Sequence, residues 1–201
     1  MQTDGAATLA DAKRRAAEQH VLDAVRRHVV RHGLDATMEE LAAASGLSRR
    51  TLFRMFASRE RLIGAAFEAG FADLAQELPA YDGDLERWVA ALCRTAHQLN
   101  ASHGPGYWEF TSRADLPAEL AASQHQRRLL QRATARDLAD TMWRAAGRDG
   151  APADTLVACV GAHLSAHFTA AVTTDLGSTW EAAAEIAARA VLAELDRHAP
   201  A

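Results

Sequence analysis

Arg50 and Arg54 stand one helical turn apart, directly behind Ser48 and among Arg49, Thr51 and Phe53. A guanidinium is a planar fork of donors that pairs with guanine O6 and N7 or holds a phosphate. On a helix from Arg49 to Phe56, at about 100° per residue, Leu52 and Phe56 fall on one side and the two arginines on the other. The pair can then face outward while the helix is held from behind. Two arginines four apart are also what any solvated helix face carries, so the surrounding elements must decide.

Two other pairs have chemical spacing. Cys93 and His97 share the four-residue step of a nucleophile and its base, but neither an orienting acid nor an oxyanion turn accompanies them. His163 and His167 have the step of a helical metal pair, without the intervening glutamate of a zinc-hydrolase motif and without a third ligand. Neither catalysis nor a metal or other cofactor is expected. A helical hydrolase or a metal-binding protein using these histidines is the competing class, and turnover and metal assays on the purified protein distinguish it. Cys93 and Cys159 lie far apart, with no CxxC spacing, and read as buried thiols.

The elements that must position the arginines are all helical. Sustained alternation of apolar and polar residues is missing, and with it any strand signal. A first helix is expected from Thr8 or Leu9 to Arg31, with Leu22, Val25 and Val29 in one stripe and Gly33 as its stop. Thr37-Met-Glu-Glu40 is a capping box opening a short helix to Ser45, after which Gly46 permits a left-handed turn and Ser48 caps the arginine helix. Ser58 caps a fourth helix carrying Ile63, Phe67, Phe71, Leu74 and Leu78. Asp84 caps a fifth with Leu85, Trp88, Leu92, Thr95 and Leu99 in step, broken by His103-Gly-Pro-Gly106, and a short piece through Trp108 and Phe110 follows. From Pro117 to Ala146 the pattern predicts a long helix with Leu130, Leu138 and Met142 inward. Leu156, Val160, Leu164, Phe168 and Val172 predict one continuous helix from about Pro152 to Thr174. Ser178-Thr-Trp-Glu181 is read as a second capping box, opening a last, alanine-rich helix with Ile186, Val191, Leu192 and Leu195. About nine helices are expected in all.

Charge separates the chain into unlike parts. Up to Arg61 there are 11 basic against 8 acidic residues, a balance of +3, whereas the remainder carries 11 against 18, a balance of −7. Only the amino-terminal part suits a polyanion. Lys13 is the sole lysine, so arginine here reflects composition bias as well as function, and position carries the argument. Apolar runs stay short of the roughly 18 residues of a membrane span. With neither signal nor lipid-anchor pattern at the start, a cytoplasmic protein that meets no membrane is expected. The domain organisation reads as a flexible start over 1–7, a helix-turn-helix domain suited to DNA over 8–61, and a larger helical body over 62–201.

A helix, a glycine turn and a second helix with an outward basic face are what a major-groove reader needs. The chain resembles the TetR family, the tetracycline-repressor-like regulators, through Val21-Leu-Asp-Ala-Val25, His32-Gly33, Thr37-Met-Glu-Glu-Leu-Ala42, Ala44-Ser-Gly-Leu-Ser48, Thr51-Leu-Phe53, Phe56 and Ser58-Arg-Glu60. The motifs span roughly residues 20 to 65, and the remainder agrees in length and helix order. Three positions depart from the family pattern: Phe53 stands for its usual tyrosine, Met55 for histidine or tyrosine, and Arg59 for lysine. The first two put phosphate contacts there in doubt.

The resemblance implies a ligand-responsive transcriptional regulator, a repressor by family precedent, that binds palindromic double-stranded operator DNA as a homodimer. An activator or a ligand-independent regulator would use the same head. Arg50 and Arg54 are the groove-facing candidates, with Arg49, Thr51 and Phe53 beside them and Thr37, Ser48 and Arg59 as phosphate anchors. Two-fold symmetry spaces the recognition helices by about 34–36 Å or more. The last two long helices are implied as the dimer interface, with Leu156, Val160, His163, Leu164, His167, Ile186 and Val191 as contacts. An unidentified small-molecule effector is implied inside the body, among Trp88, Cys93, His97, Tyr107, Trp108, Phe110, Met142, Trp143 and Phe168.

Overall fold

The computed structural model describes residues 9–198, without the side chains of residues 9, 10 and 72–75. The flexible start expected over 1–7, and Leu74 on the apolar side of the fourth helix, lie outside that description. Ten α-helices follow one another: α1 Leu9–His32, α2 Met38–Ser45, α3 Arg49–Phe56, α4 Arg59–Glu77, α5 Leu85–Asn100, α6 Pro105–Ser112, α7 Ala118–Ala145, α8 Asp154–His163, α9 Ala166–Ala170 and α10 Trp180–Asp196. Ala171–Asp175 continues α9 as a π-helical turn. Among the described residues there is no strand, and no single helix is long and apolar enough to cross a membrane.

The chain divides into two compact units, the first comprising Met1–Ala72 with Gly104–Gln126 and the second Asp73–His103 with Arg127–Ala201. The contiguous body expected over 62–201 is therefore interrupted, because Gly104–Gln126 clusters with the amino-terminal unit.

In the first unit Val25, Val29, Leu41, Leu52, Leu62 and Ile63 are fully buried, so α1, α2, α3 and the start of α4 close on one apolar centre. Phe67 stacks on Phe110 with ring centroids 4.3 Å apart, and Phe71 meets Tyr107 edge-on at 6.3 Å. Aromatic residues 36 to 43 positions apart thus join α4 to α6 within this unit.

The second unit is built around Trp88, Val89, Leu92, Cys93, Ala139, Met142, Leu156, Val160, Ala187, Val191 and Leu195. The buried face of α5 is Trp88, Val89, Leu92, Cys93, Ala96, His97 and Asn100, with Leu85, Thr95 and Leu99 on its half-buried flanks. On α7, Met142 is buried and Leu138 half-buried as expected, but Leu130 is 40% exposed and Leu129 43%. Periodicity places Leu130 on the apolar stripe, yet among the described residues no element covers that stretch of α7.

Two further expectations are corrected. The continuous helix after Pro152 is broken: α8 ends at His163, and the segment Ala166–Asp175 leaves it at a 52° bend. Ser165 causes the break, adopting extended angles, accepting from Phe168 N–H at 3.1 Å and donating to the Ala162 carbonyl at 2.7 Å. The last helix is capped by Thr179, which accepts from Ala182 N–H at 3.2 Å, and not by Ser178. The backbone N–H of Ser178 is held by the Val172 carbonyl at 3.0 Å, so that residue still belongs to the preceding turn.

Candidate DNA-binding surface

The α2–turn–α3 segment follows its local sequence closely. Thr37 is the N-cap of α2: its hydroxyl accepts from Glu40 N–H at 3.3 Å, while the Glu40 carboxylate takes the Thr37 N–H at 2.6 Å and its hydroxyl at 2.9 Å. The Thr37 backbone N–H holds the Glu40 carboxyl below the usual carboxylate range, with the Thr37 hydroxyl adding to the effect. Gly46 ends α2 in the left-handed region (φ 70°), and an added Cβ there would meet nothing within 4 Å. Its demand is therefore purely conformational. Ser48 then caps α3, accepting from Thr51 N–H at 3.2 Å and lying 2.9 Å from the Thr51 hydroxyl.

On α3, Leu52 is fully buried and Phe56 half-buried, which turns Arg50 and Arg54 to solvent. Among the described residues neither arginine has a hydrogen-bond or ion-pair partner in the protein. Arg49 differs, pairing with exposed Glu39 of α2. Phe53 and Met55 are 43% and 41% exposed, large apolar side chains left open beside the arginines. Ala57 ends α3 with φ 65° and ψ −40°, closed by Ser58 N–H to the Phe56 carbonyl at 2.8 Å, which is a γ-turn of the strained kind. Ser58 in turn accepts from Arg61 N–H at 3.1 Å at the start of α4.

Arg59 is not available as a phosphate anchor through its side chain. One Nη1 donates to the Leu34 and Ala36 carbonyls at 2.9 and 3.1 Å, Nε donates to Glu60 at 2.9 Å, and Nη2 pairs with the same carboxylate. The guanidinium braces the α1–α2 connection from inside. Its partners lie 23 and 25 residues upstream, beyond the reach of local pattern reading.

The candidates for an effector site are divided. Tyr107, Trp108 and Phe110 belong to α6 in the first unit, whereas Trp88, Cys93, His97, Met142, Trp143 and Phe168 lie in the second. Several of the second group have plain structural roles: the Trp88 indole donates to the Pro79 carbonyl at 2.8 Å, and the Trp143 indole donates to the Asp149 carbonyl at 3.0 Å beneath Arg148. His97 is fully buried, with Nδ1 2.8 Å from the Thr169 hydroxyl and its ring 5.7 Å from Phe168. Burial, opposed by the His163 carbonyl, drives its pKa down to about 4, so the imidazole is neutral in the folded chain at neutral pH. Burial pushes the Cys93 thiol up to about 12. A protonated thiol beside a histidine already bound to threonine is no nucleophile pair.

Of the interface candidates, Leu156, Val160 and Val191 are at most 1% exposed within their own unit and cannot reach a partner chain. His163 and Leu164 are half-buried, His167 is exposed, and Ile186 is 40% exposed. The Ser165 break separates His163 from His167, removing the shared helix that a metal pair requires. His163 Nδ1 lies instead 2.9 Å from the Cys159 carbonyl. Among the described residues no group of three histidine, cysteine or acidic side chains is placed to hold a metal.

A short braced helix, a left-handed glycine turn and a capped helix with two unpaired outward arginines define a helix-turn-helix DNA-binding head. Residues 21–66 match the family model described as bacterial regulatory proteins, tetR family. No curated protein matches the sequence significantly. The fold is similar to that of a tetR-family transcriptional regulator from Streptomyces coelicolor, with 21% identity, TM-score 0.63, and 92% of this chain and 80% of that one covered. It is also similar to the fatty acid degradation regulator FadR from Bacillus halodurans, at 16% identity, TM-score 0.60, and 88% and 94% coverage. NalD, the secondary repressor of the MexAB-OprM multidrug efflux pump in Pseudomonas aeruginosa, gives 15% identity, TM-score 0.59, and 92% and 96% coverage. At these identities the likeness is one of fold.

Proposed function

We propose that this chain is a regulator of the tetR family, a ligand-responsive repressor that binds a palindromic operator as a homodimer, with α3 in the major groove. The observation that carries the reading is the pair Arg50 and Arg54, exposed on a helix fixed at its start by Ser48 and from behind by Leu52, and engaged with no other part of the described chain. Arginine held ready in this way suits the guanine edge or the phosphate. Ser48 and Thr51 stand at the capped start of α3, where hydroxyls and backbone N–H groups suit phosphate oxygens; Thr37, expected as a third anchor, already gives both its N–H and its hydroxyl to Glu40. Phe53 suits a thymine methyl or a sugar. The dimer would form through exposed small or aliphatic residues of α8 and α10, such as Ala158, Ala162, Ile186 and Ala193, and the effector would act from within the second unit.

Selection of duplexes from a random pool by the full-length protein, followed by titration, tests this. A palindrome is expected, and Arg50→Ala is expected to weaken specific binding by about 1–3 kcal/mol while relaxing preference at one position of each half-site. Equal affinity for every duplex, before and after the substitution, would sink the reading.

A further inference from the structure

Gly104 and Gly106 open α6 against the end of α1 with no room for a side chain. A Cβ on Gly106 would lie 2.0 Å from the Val29 carbonyl oxygen, and one on Gly104 2.4 Å from that of Val30. Both obstacles are backbone, so neither can swing aside. One turn further along α6 the Glu109 carboxylate accepts from Leu34 N–H at 2.7 Å and lies 3.1–3.2 Å from where a Cβ on Gly33 would sit. Gly33 holds φ 98°, so the chain leaves α1 in a conformation that glycine allows and the carboxylate then fastens. At the next turn Arg113 reaches Asp35 at 3.5 Å. The far end of α6 is held as well, Gln124 donating to the Phe110 and Thr111 carbonyls at 2.9 and 3.0 Å.

The short connection from Gly33 to Ala36 is therefore gripped from two sides. Arg59 takes the carbonyls of Leu34 and Ala36, and Glu109 takes the N–H of Leu34. That connection leads directly into Thr37, the cap of α2, and α2 carries the ion pair from Glu39 to Arg49 at the start of α3.

We infer that α6 is a working part of the DNA-binding head and that Glu109, outside the family-matched segment, is a positioning residue for operator recognition. Glu109 touches no base. It fixes the register in which α1 hands the chain to α2, and through α2 the angle at which α3 presents Arg50 and Arg54. The inference rests on the DNA-binding reading above.

The test compares Glu109→Gln, Glu109→Asp and Glu109→Ala in the full-length protein, using a duplex selected by the wild-type chain and a scrambled duplex of equal length. Glutamine keeps an acceptor at the same reach, aspartate keeps the charge but falls about one methylene short, and alanine removes both. Loss of one charge-assisted hydrogen bond at a joint predicts that Asp and Ala weaken binding to the selected duplex about tenfold while Gln stays within about threefold. Affinity for the scrambled duplex should fall in none of the three, because the phosphate contacts that set it are all kept. Hydrogen exchange at Leu34 should quicken in Asp and Ala but not in Gln. Wild-type affinity in Asp, or equal losses on both duplexes, would overturn the inference. If Ala does not fold, Asp still decides: it keeps the charge of Glu109, so a loss confined to the selected duplex in Asp cannot be a charge effect. Should the wild-type chain select no duplex at all, the DNA-binding reading fails first and separately.

Discussion

Two joints between consecutive helices use the same device and end differently. At α2–α3 and at α8–α9 a serine adopts extended backbone angles, φ −73° and ψ 150° for Ser48, φ −76° and ψ 151° for Ser165. Each accepts from the N–H three residues on, at 3.2 and 3.1 Å. What separates them is glycine. Gly46 turns the chain through the left-handed region, so α3 departs as an independent helix with a polar face outward. No glycine stands between His163 and Ser165, and the chain only bends by 52°, leaving Thr169 turned inward to His97. The serine cap decides that a helix restarts; the preceding backbone decides where it goes.

The comparison can be broken most forcefully at His97. A histidine that titrates near 6.5 when unfolded and near 4 when folded takes up a proton in the unfolded state first. Stability from this group is complete above the unfolded value and falls as pH drops from about 6.5 towards 4, by up to about 3 kcal/mol over the full window. Urea unfolding at pH 7 and pH 4.5 should show this loss, and His97→Leu should flatten it. A profile unchanged by that substitution would remove the inward joint's special character.

A smaller effect is expected at Gly46. Gly46→Ala meets open space, so its cost is the left-handed backbone alone, about 1 kcal/mol. Thermal unfolding measures it, and a neutral result would mean that the turn tolerates any residue. The finest test sets Ser48→Ala beside Ser165→Ala. Both should lose about 1 kcal/mol of stability, but only Ser48→Ala should also weaken DNA binding. Equal effects on binding would show that the two joints are not functionally distinct.

The head was legible in the sequence because its instructions are local. Thr37 to Glu40, Gly46 and Ser48 specify their partners within four residues, and the boundaries of α3 follow from them. Legibility failed where a residue answers to distant partners. Arg59 has the charge of a phosphate anchor, yet carbonyls across the unit claim it. Ser178 has the spacing of a cap, but the preceding turn holds its N–H. Leu130 obeys the helical period on a stretch that nothing covers. The apolar series from Leu156 to Val172 kept its period across the bend, since Ser165 interrupts the hydrogen bonds and not the pattern.

The division of labour between Arg59 and the pair Arg50 and Arg54 has a practical side. The first arginine is mortar, built into carbonyls of its own chain, and replacing it would loosen the α1–α2 connection. The other two hold nothing together, so exchanging them leaves the framework standing. If the proposed reading holds, the head is an interchangeable die in a fixed press: new operator preferences can be cut into α3 at these positions without renegotiating the fold that carries them.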